Sequence, residues 1–101
     1  MKSKFRTLEI AKDFYRDCSK IKLKGVMRNQ FERASLSVVL NISEGSARPT
    51  LKDRRRFYAI AYGSLQESRT LLELSNIDRL NAKADCLAAH LWKLQQNPGG
   101  T

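Results

Sequence analysis

Two runs of cations dominate the sequence. Arg48, Lys52, Arg54, Arg55 and Arg56 put five bases within nine residues against one acid, Asp53. Lys20, Lys22, Lys24, Arg28 and Arg33 set five more against Glu32. Guanidinium forks and ammonium groups at this density suit phosphate, which they neutralise as counterions leave. Three consecutive arginines cover roughly 200° of a helix, at about 100° per residue, so at least one or two face solvent however the helix packs. At a helix N-terminus, free N–H groups and the positive dipole end add to the pull on an anion. Two other readings stand beside this one: a solvated charged face paired with Glu44, Asp53 or Glu67, and a surface for an acidic protein. Tyr58 and Tyr62 lie next to the first run. They suit base stacking there, or core and subunit contacts.

Other chemistry is scarce. The chain has no nucleophile elbow, P-loop, dinucleotide-binding glycine loop or HExxH, and no catalytic residues are expected. One histidine, His90, cannot complete the Glu-x-x-His pairs of a di-iron bundle or a Cys/His zinc site. No metal or cofactor is expected, and His90 reads as a structural or surface residue. Cys18 and Cys86 both fall on apolar-periodic stretches, which predicts reduced core thiols.

The elements that must carry these residues read as four helices. The first runs from about Thr7 to Leu23, with Leu8, Ala11, Tyr15 and Cys18 on one stripe and Ile10, Phe14 and Ile21 beside it. Lys20, Lys22 and Lys24 then suit a helix C-terminus, and Gly25 breaks the chain. The second runs from about Met27 to Ser46 on Phe31, Ala34, Val38 and Ile42. Leu36, Val39 and Leu40 give it a further apolar side, as expected of a central helix or one shared with another subunit. Gly45 to Pro49 forms a break. Thr50 and Asp53 have capping-box spacing for a third helix, about Leu51 to Asn76, on which Phe57, Ala61, Ser64 or Leu65, Ser68, Leu72 and Ser75 trace one face. The fourth runs from Leu80 or Asn81 to Gln96 on Ala84, Leu87, Leu91 and Leu94.

Short connections predict an all-α, antiparallel up-down four-helix bundle over residues 1–97, with 98–101 as a flexible tail. That topology puts the two cationic runs at opposite ends. At 101 residues the chain has room for one core. Its 19 Lys+Arg against 10 Asp+Glu give a net charge of +9, which favours a polyanionic partner, nucleic acid above all. The basic start, Met1 to Arg6, is not followed by an apolar h-region, and no apolar run approaches a membrane span. A cytoplasmic protein without membrane contact is expected.

Three stretches resemble a known pattern: Gln30-Phe31-Glu32-Arg33-Ala34-Ser35-Leu36-Ser37, Asn41-Ile42-Ser43-Glu44-Gly45-Ser46-Ala47-Arg48, and Phe57-Tyr58-Ala59-Ile60-Ala61-Tyr62-Gly63-Ser64-Leu65-Gln66-Glu67. They resemble the bacterial four-helix-bundle proteins encoded in intervening sequences of large-subunit ribosomal RNA genes, with Ser43 where that family carries Ala. The resemblance runs over about residues 7–94. It implies a barrel-shaped homopentamer. It also implies kinship with the accessory variability proteins of diversity-generating retroelements, which bind nucleic acid and a reverse transcriptase through basic surfaces. Five copies at +9 each would carry +45.

Within the motif, Asn41 and Glu44 share one face of the second helix. They read either as acceptors for the start of the third helix, with Glu44 pairing an arginine, or as polar contacts at a barrel mouth. Gly45 reads as the residue that permits a left-handed helix end. Gly63 and Ser64 read as a close approach between helices. The expected function is a non-enzymatic, oligomeric nucleic-acid-binding accessory protein. The alternative is a protein-interaction adaptor for which nucleic-acid binding is incidental.

Overall fold

Amphipathic helices of this length are stable only with their apolar faces covered, and these helices cover one another. A computed structural model describes residues 5–100; the start of the chain, Met1 to Lys4, and the final Thr101 lie outside the described residues. The helices are α1 (Arg6–Cys18), α2 (Gly25–Ser46), α3 (Leu51–Leu74) and α4 (Asn81–Gln96), and the described residues contain no strand. Each packs backbone to backbone on its two neighbours around a ring, with the diagonal pairs meeting only through core side chains.

Antiparallel order is fixed by specific contacts. Gly45 on α2 lies against Phe57 and Tyr58 on α3, and Ser37 Oγ meets Ser64 Oγ at 2.7 Å farther along the same pair. On α3 and α4, Arg55 reaches Gln95 and Arg69 pairs with Asp85. Lys83 on α4 ties to α1 through Asp17 and, at 2.9 Å, Asp13.

The core follows the periodic stripes. Phe31, Ala34, Val38 and Ile42 of α2 and Ala84, Leu87, Leu91 and Leu94 of α4 are all buried. On α1 the buried line is Thr7, Ala11, Phe14 and Cys18, so Phe14 takes the place expected of Leu8 and Tyr15. On α3 it is Tyr58, not Phe57, that enters the core with Ala61, Leu65, Ser68 and Leu72. Both buried serines are satisfied locally: Ser35 Oγ donates to the Phe31 carbonyl at 2.8 Å and Ser68 Oγ to that of Ser64 at 3.0 Å.

Two helix ends differ from expectation. α1 stops at Cys18, where Ser19 Oγ donates to the Arg16 carbonyl and the Ile21 amide bonds back to Cys18. Residues 21–24 carry no helix. Ile21 and Leu23 are half-buried while Lys20, Lys22 and Lys24 are exposed, the alternation of an extended segment. These lysines therefore do not complement a helix C-terminus. α3 ends in a left-handed Asn76 (φ 58°); the Ile77 amide bonds to the Leu72 carbonyl and the Asn76 amide to that of Glu73, the two closing bonds of a Schellman turn. Of the segment beyond residue 97, Pro98 is buried and the Gly100 amide bonds to the Asn97 carbonyl.

The cysteines divide. Cys18 is buried, but Cys86 is exposed on α4, against the expectation that both are core. Its neighbours Ala84 and Leu87 face inward, which turns Cys86 out. Burial, then the adjacent Asp17 charge, pushes the Cys18 thiol up to about 12. A thiol reagent at pH 8 is expected to modify one cysteine rapidly, located at Cys86 by peptide mass, and Cys18 only once denaturant is added.

The α1–α4 tie leaves an electrostatic signature. The Lys83 ammonium beside it holds the Asp13 carboxyl below its ordinary value. The sign is that of a depressed acid: this contribution to stability is complete above the ordinary carboxylate range and fades as pH falls through the lowered value. Lys83→Met is expected to raise the Asp13 midpoint towards its ordinary value in a carboxyl-carbon NMR titration.

Candidate nucleic-acid interface

The run from Arg48 to Arg56 straddles the α2–α3 turn, and the fold gives every arginine in it a fixed place. Thr50 opens α3 by accepting the Asp53 amide on its side-chain oxygen at 3.2 Å, the expected cap. The three arginines that follow leave the first turn in different directions. Arg54 Nε donates to the Arg48 carbonyl at 2.8 Å, closing the end of α2. Arg55 Nε donates to the Gln95 carbonyl at 2.9 Å, in the last turn of α4. Arg56 lies over the Phe57 ring, 4.5 Å from its centroid, and Arg48 approaches the same ring at 5.2 Å.

Nε anchoring leaves the terminal nitrogens of Arg54 and Arg55 outside these bonds. None of Lys52, Arg54, Arg55 and Arg56 has a carboxylate partner among the described residues; of this group only Arg48 is ion-paired, with Glu44. Acceptors are short at this end in a second way. Two sheltered donors, Arg48 Nε and Gln95 Nε2, find no acceptor among the described residues. Exposed Lys52, Arg55 and Arg56 with half-buried Arg54 thus form one cationic surface over the ends of α2, α3 and α4.

The second expected set lies elsewhere. Lys20, Lys22 and Lys24 project from the α1–α2 connection and Arg28 from the start of α2, where its Nε pairs with Glu32 at 2.9 Å. The 22 residues of α2 separate the two sets by about 33 Å, at about 1.5 Å per residue. They are two surfaces, as the topology predicts.

The motif residues act differently from the sequence expectation. Gly45 is helical, with no left-handed geometry; the described left-handed residues are Gly25 and Asn76. Instead, a β-carbon on Gly45 would stand 2.8 Å from Tyr58 Cε1, so this glycine permits the close approach of α3. Gly63 has nothing within 4 Å of the same position and faces solvent, so it permits no close packing within the chain. Ser64 does join α2 to α3, through Ser37. Asn41 Nδ2 donates to the Ser37 carbonyl at 2.9 Å and to its hydroxyl at 3.0 Å instead of Asn41 accepting from the start of α3, while Glu44 pairs with Arg48 as expected.

Tyr58 is 2% exposed and is closed to a base. Tyr62 is half-buried, its ring 5.9 Å from that of Trp92. Burial, then Arg6 and Lys93, lowers the pKa of His90, so the imidazole is neutral near pH 7. Among the described residues no His, Cys, Asp or Glu form a group of metal-holding size, and no helix is long and apolar enough to cross a membrane. Sequence reasoning missed the α4 C-terminus as part of the cationic end, because the Arg55–Gln95 contact joins positions 40 residues apart.

An apolar strip lies on the outer side of α2 and α3. Leu36 and Leu40, one turn apart on α2, and Ile60 on α3 are 40%, 56% and 44% exposed. The Ser37–Ser64 pair lies between the two helices in the same stretch, and the open Gly63 follows one turn after Ile60.

Compared with known proteins, residues 2–91 match a family model described as 23S rRNA-intervening sequence protein. No curated protein and no solved structure matches the chain.

Proposed function

The chain belongs to the 23S rRNA-intervening sequence protein family, and from that premise we propose that it is a non-enzymatic bundle that grips nucleic acid by its phosphates. One observation carries the reading: Lys52, Arg54, Arg55 and Arg56 form a cationic surface without a carboxylate partner among the described residues, and Arg54 and Arg55 are held there by backbone carbonyls at the ends of α2 and α4. A structural role alone would be expected to pair such charges with acids. Contacts of this kind fix a strand's position without reading its bases, so RNA and DNA backbones both qualify. The accessory role beside a reverse transcriptase belongs to this reading in its finer form: the bundle presents a strand to the polymerase.

The apolar strip of Leu36, Leu40 and Ile60 supports a second element, self-association, for which the family resemblance implies a ring of five. A closed ring would cover it on every copy. Wild-type chain is expected at the mass of a pentamer in light scattering at micromolar concentration, and Leu40→Glu with Ile60→Glu at that of a monomer. If wild type is monomeric, the strip becomes the docking site of a different protein and the adaptor reading leads. The nucleic-acid reading is tested by titrating single-stranded RNA, single-stranded DNA and duplex DNA across salt. Affinity falling steeply with salt is expected, and no binding to any of them at about 50 mM salt, where phosphate contacts are strongest, removes the reading.

A further inference from the structure

The second cationic set surrounds a cavity rather than a flat face. The α1–α2 connection bends over the start of α2 and leaves a cavity of about 630 Å³ between them, within the roughly 300–1,000 Å³ of small-molecule sites. Its walls include Tyr15, Ile21, Leu23 and Phe31. Lys22, Lys24 and Arg28 also line it, and all three are exposed. The alternation of residues 20–24 produces this division: the aliphatic side chains turn inward and the lysines outward.

The electrostatics at the rim are not balanced from within. α2 starts here with Lys24 as its N-cap, no side chain capping it and no acid in its first turn. Cations at the positive end of a helix gain nothing from the dipole, whereas an anion gains from both. Among the described residues Glu32 is the one acid lining the cavity, and it is paired with Arg28.

We propose that this cavity takes one unstacked nucleotide of a single strand, with the base against the half-buried Tyr15 and its phosphate on Lys22 and Lys24 at the positive end of α2. The proposal deepens the nucleic-acid reading and rests on it, but it uses the opposite end of the bundle from Arg55 and Arg56. Single strands offer splayed bases that stack on aromatic side chains, and duplexes do not.

The test is an amide NMR titration of the full chain with adenosine 5′-monophosphate, and with ribose 5-phosphate as the base-free control. The nucleotide is expected to move the amides of Tyr15, Ile21, Leu23 and Phe31, and the sugar phosphate to move them far less. Tyr15→Leu is expected to weaken nucleotide binding roughly tenfold, within the range of one base–aromatic stack. Leu23→Trp, which fills the cavity, is expected to abolish it while the rest of the spectrum stays folded. Lys52→Glu with Arg55→Glu and Arg56→Glu should leave the nucleotide shifts intact, which separates this site from the other cationic surface. Equal shifts from nucleotide and sugar phosphate, or no movement of the cavity amides at millimolar nucleotide, would overturn the proposal whether or not long strands bind.

Discussion

Replacing Lys52, Arg55 and Arg56 together by Glu is expected to lower affinity for duplex nucleic acid by about 500-fold at 0.1 M salt, the loss of three phosphate contacts at about 0.9 decade each relative to 1 M. The slope of log affinity against log salt should flatten by about 2.7 for the same reason. Arg54 is left in place because its Nε closes the end of α2 on the Arg48 carbonyl, and losing it would mix stability with binding. Arg55 also gives up a bond to Gln95, but an exposed one. The unfolding midpoint should therefore stay close to wild type, and the comparison reads charge. Unchanged affinity in the triple variant, with the wild-type salt slope retained, would move the binding surface to Lys20, Lys22, Lys24 and Arg28.

The largest expected effect on stability lies at Gly45. An added β-carbon there would meet Tyr58 Cε1 at 2.8 Å and Phe57 Cβ at 3.0 Å. The Tyr58 ring has nowhere to retreat: it is 2% exposed and backed by Phe5, with ring centroids 6.2 Å apart. Alanine gains about 1 kcal/mol of helix propensity, against an overpacking cost of about 1–3 kcal/mol. Gly45→Ala should then lose about 1 kcal/mol net, and Gly45→Leu about 3 kcal/mol, since more carbon meets the same ring. In thermal unfolding each kilocalorie is worth about 4–8 °C at this chain length. Gly63→Ala is the matched control. It keeps the propensity gain of about 1 kcal/mol with no neighbour to strike, so its midpoint should rise. The same substitution at two helical glycines thus moves stability in opposite directions.

Those glycines also mark what the sequence conveys. Periodicity within one helix reports which side is buried, and Phe31, Ala34, Val38 and Ile42 were legible for that reason. Thr50 was legible as a cap because its partner, Asp53, lies three residues away. What a neighbouring helix sets opposite a given residue is not periodic. Gly45 near a helix end resembles a terminator, and only the ring of Tyr58 shows it to be a packing residue. Tyr58 and Phe57 are adjacent aromatics, and a small turn of α3 decides which enters the core. Cys86 shows the same limit. The end of α1 did leave a signal. Lys20-Ile21-Lys22-Leu23-Lys24 alternates with a period of two, and the apolar stripes read across it at helical spacing. At the candidate site, the cations themselves were legible and their anchors were not.

The anchors change the thermodynamics of the cationic end. A free arginine side chain gives up about 2 kcal/mol of rotamer entropy when it is pinned. Arg54 and Arg55 have given up part of that on folding, through the carbonyls of Arg48 and Gln95, so less remains to be lost when a phosphate arrives. The last turn of α4 thereby becomes a remote determinant of affinity. If residues 95–97 unwind, Arg55 regains its freedom, and a strand must then be held at a higher entropic cost although no residue touching it has changed.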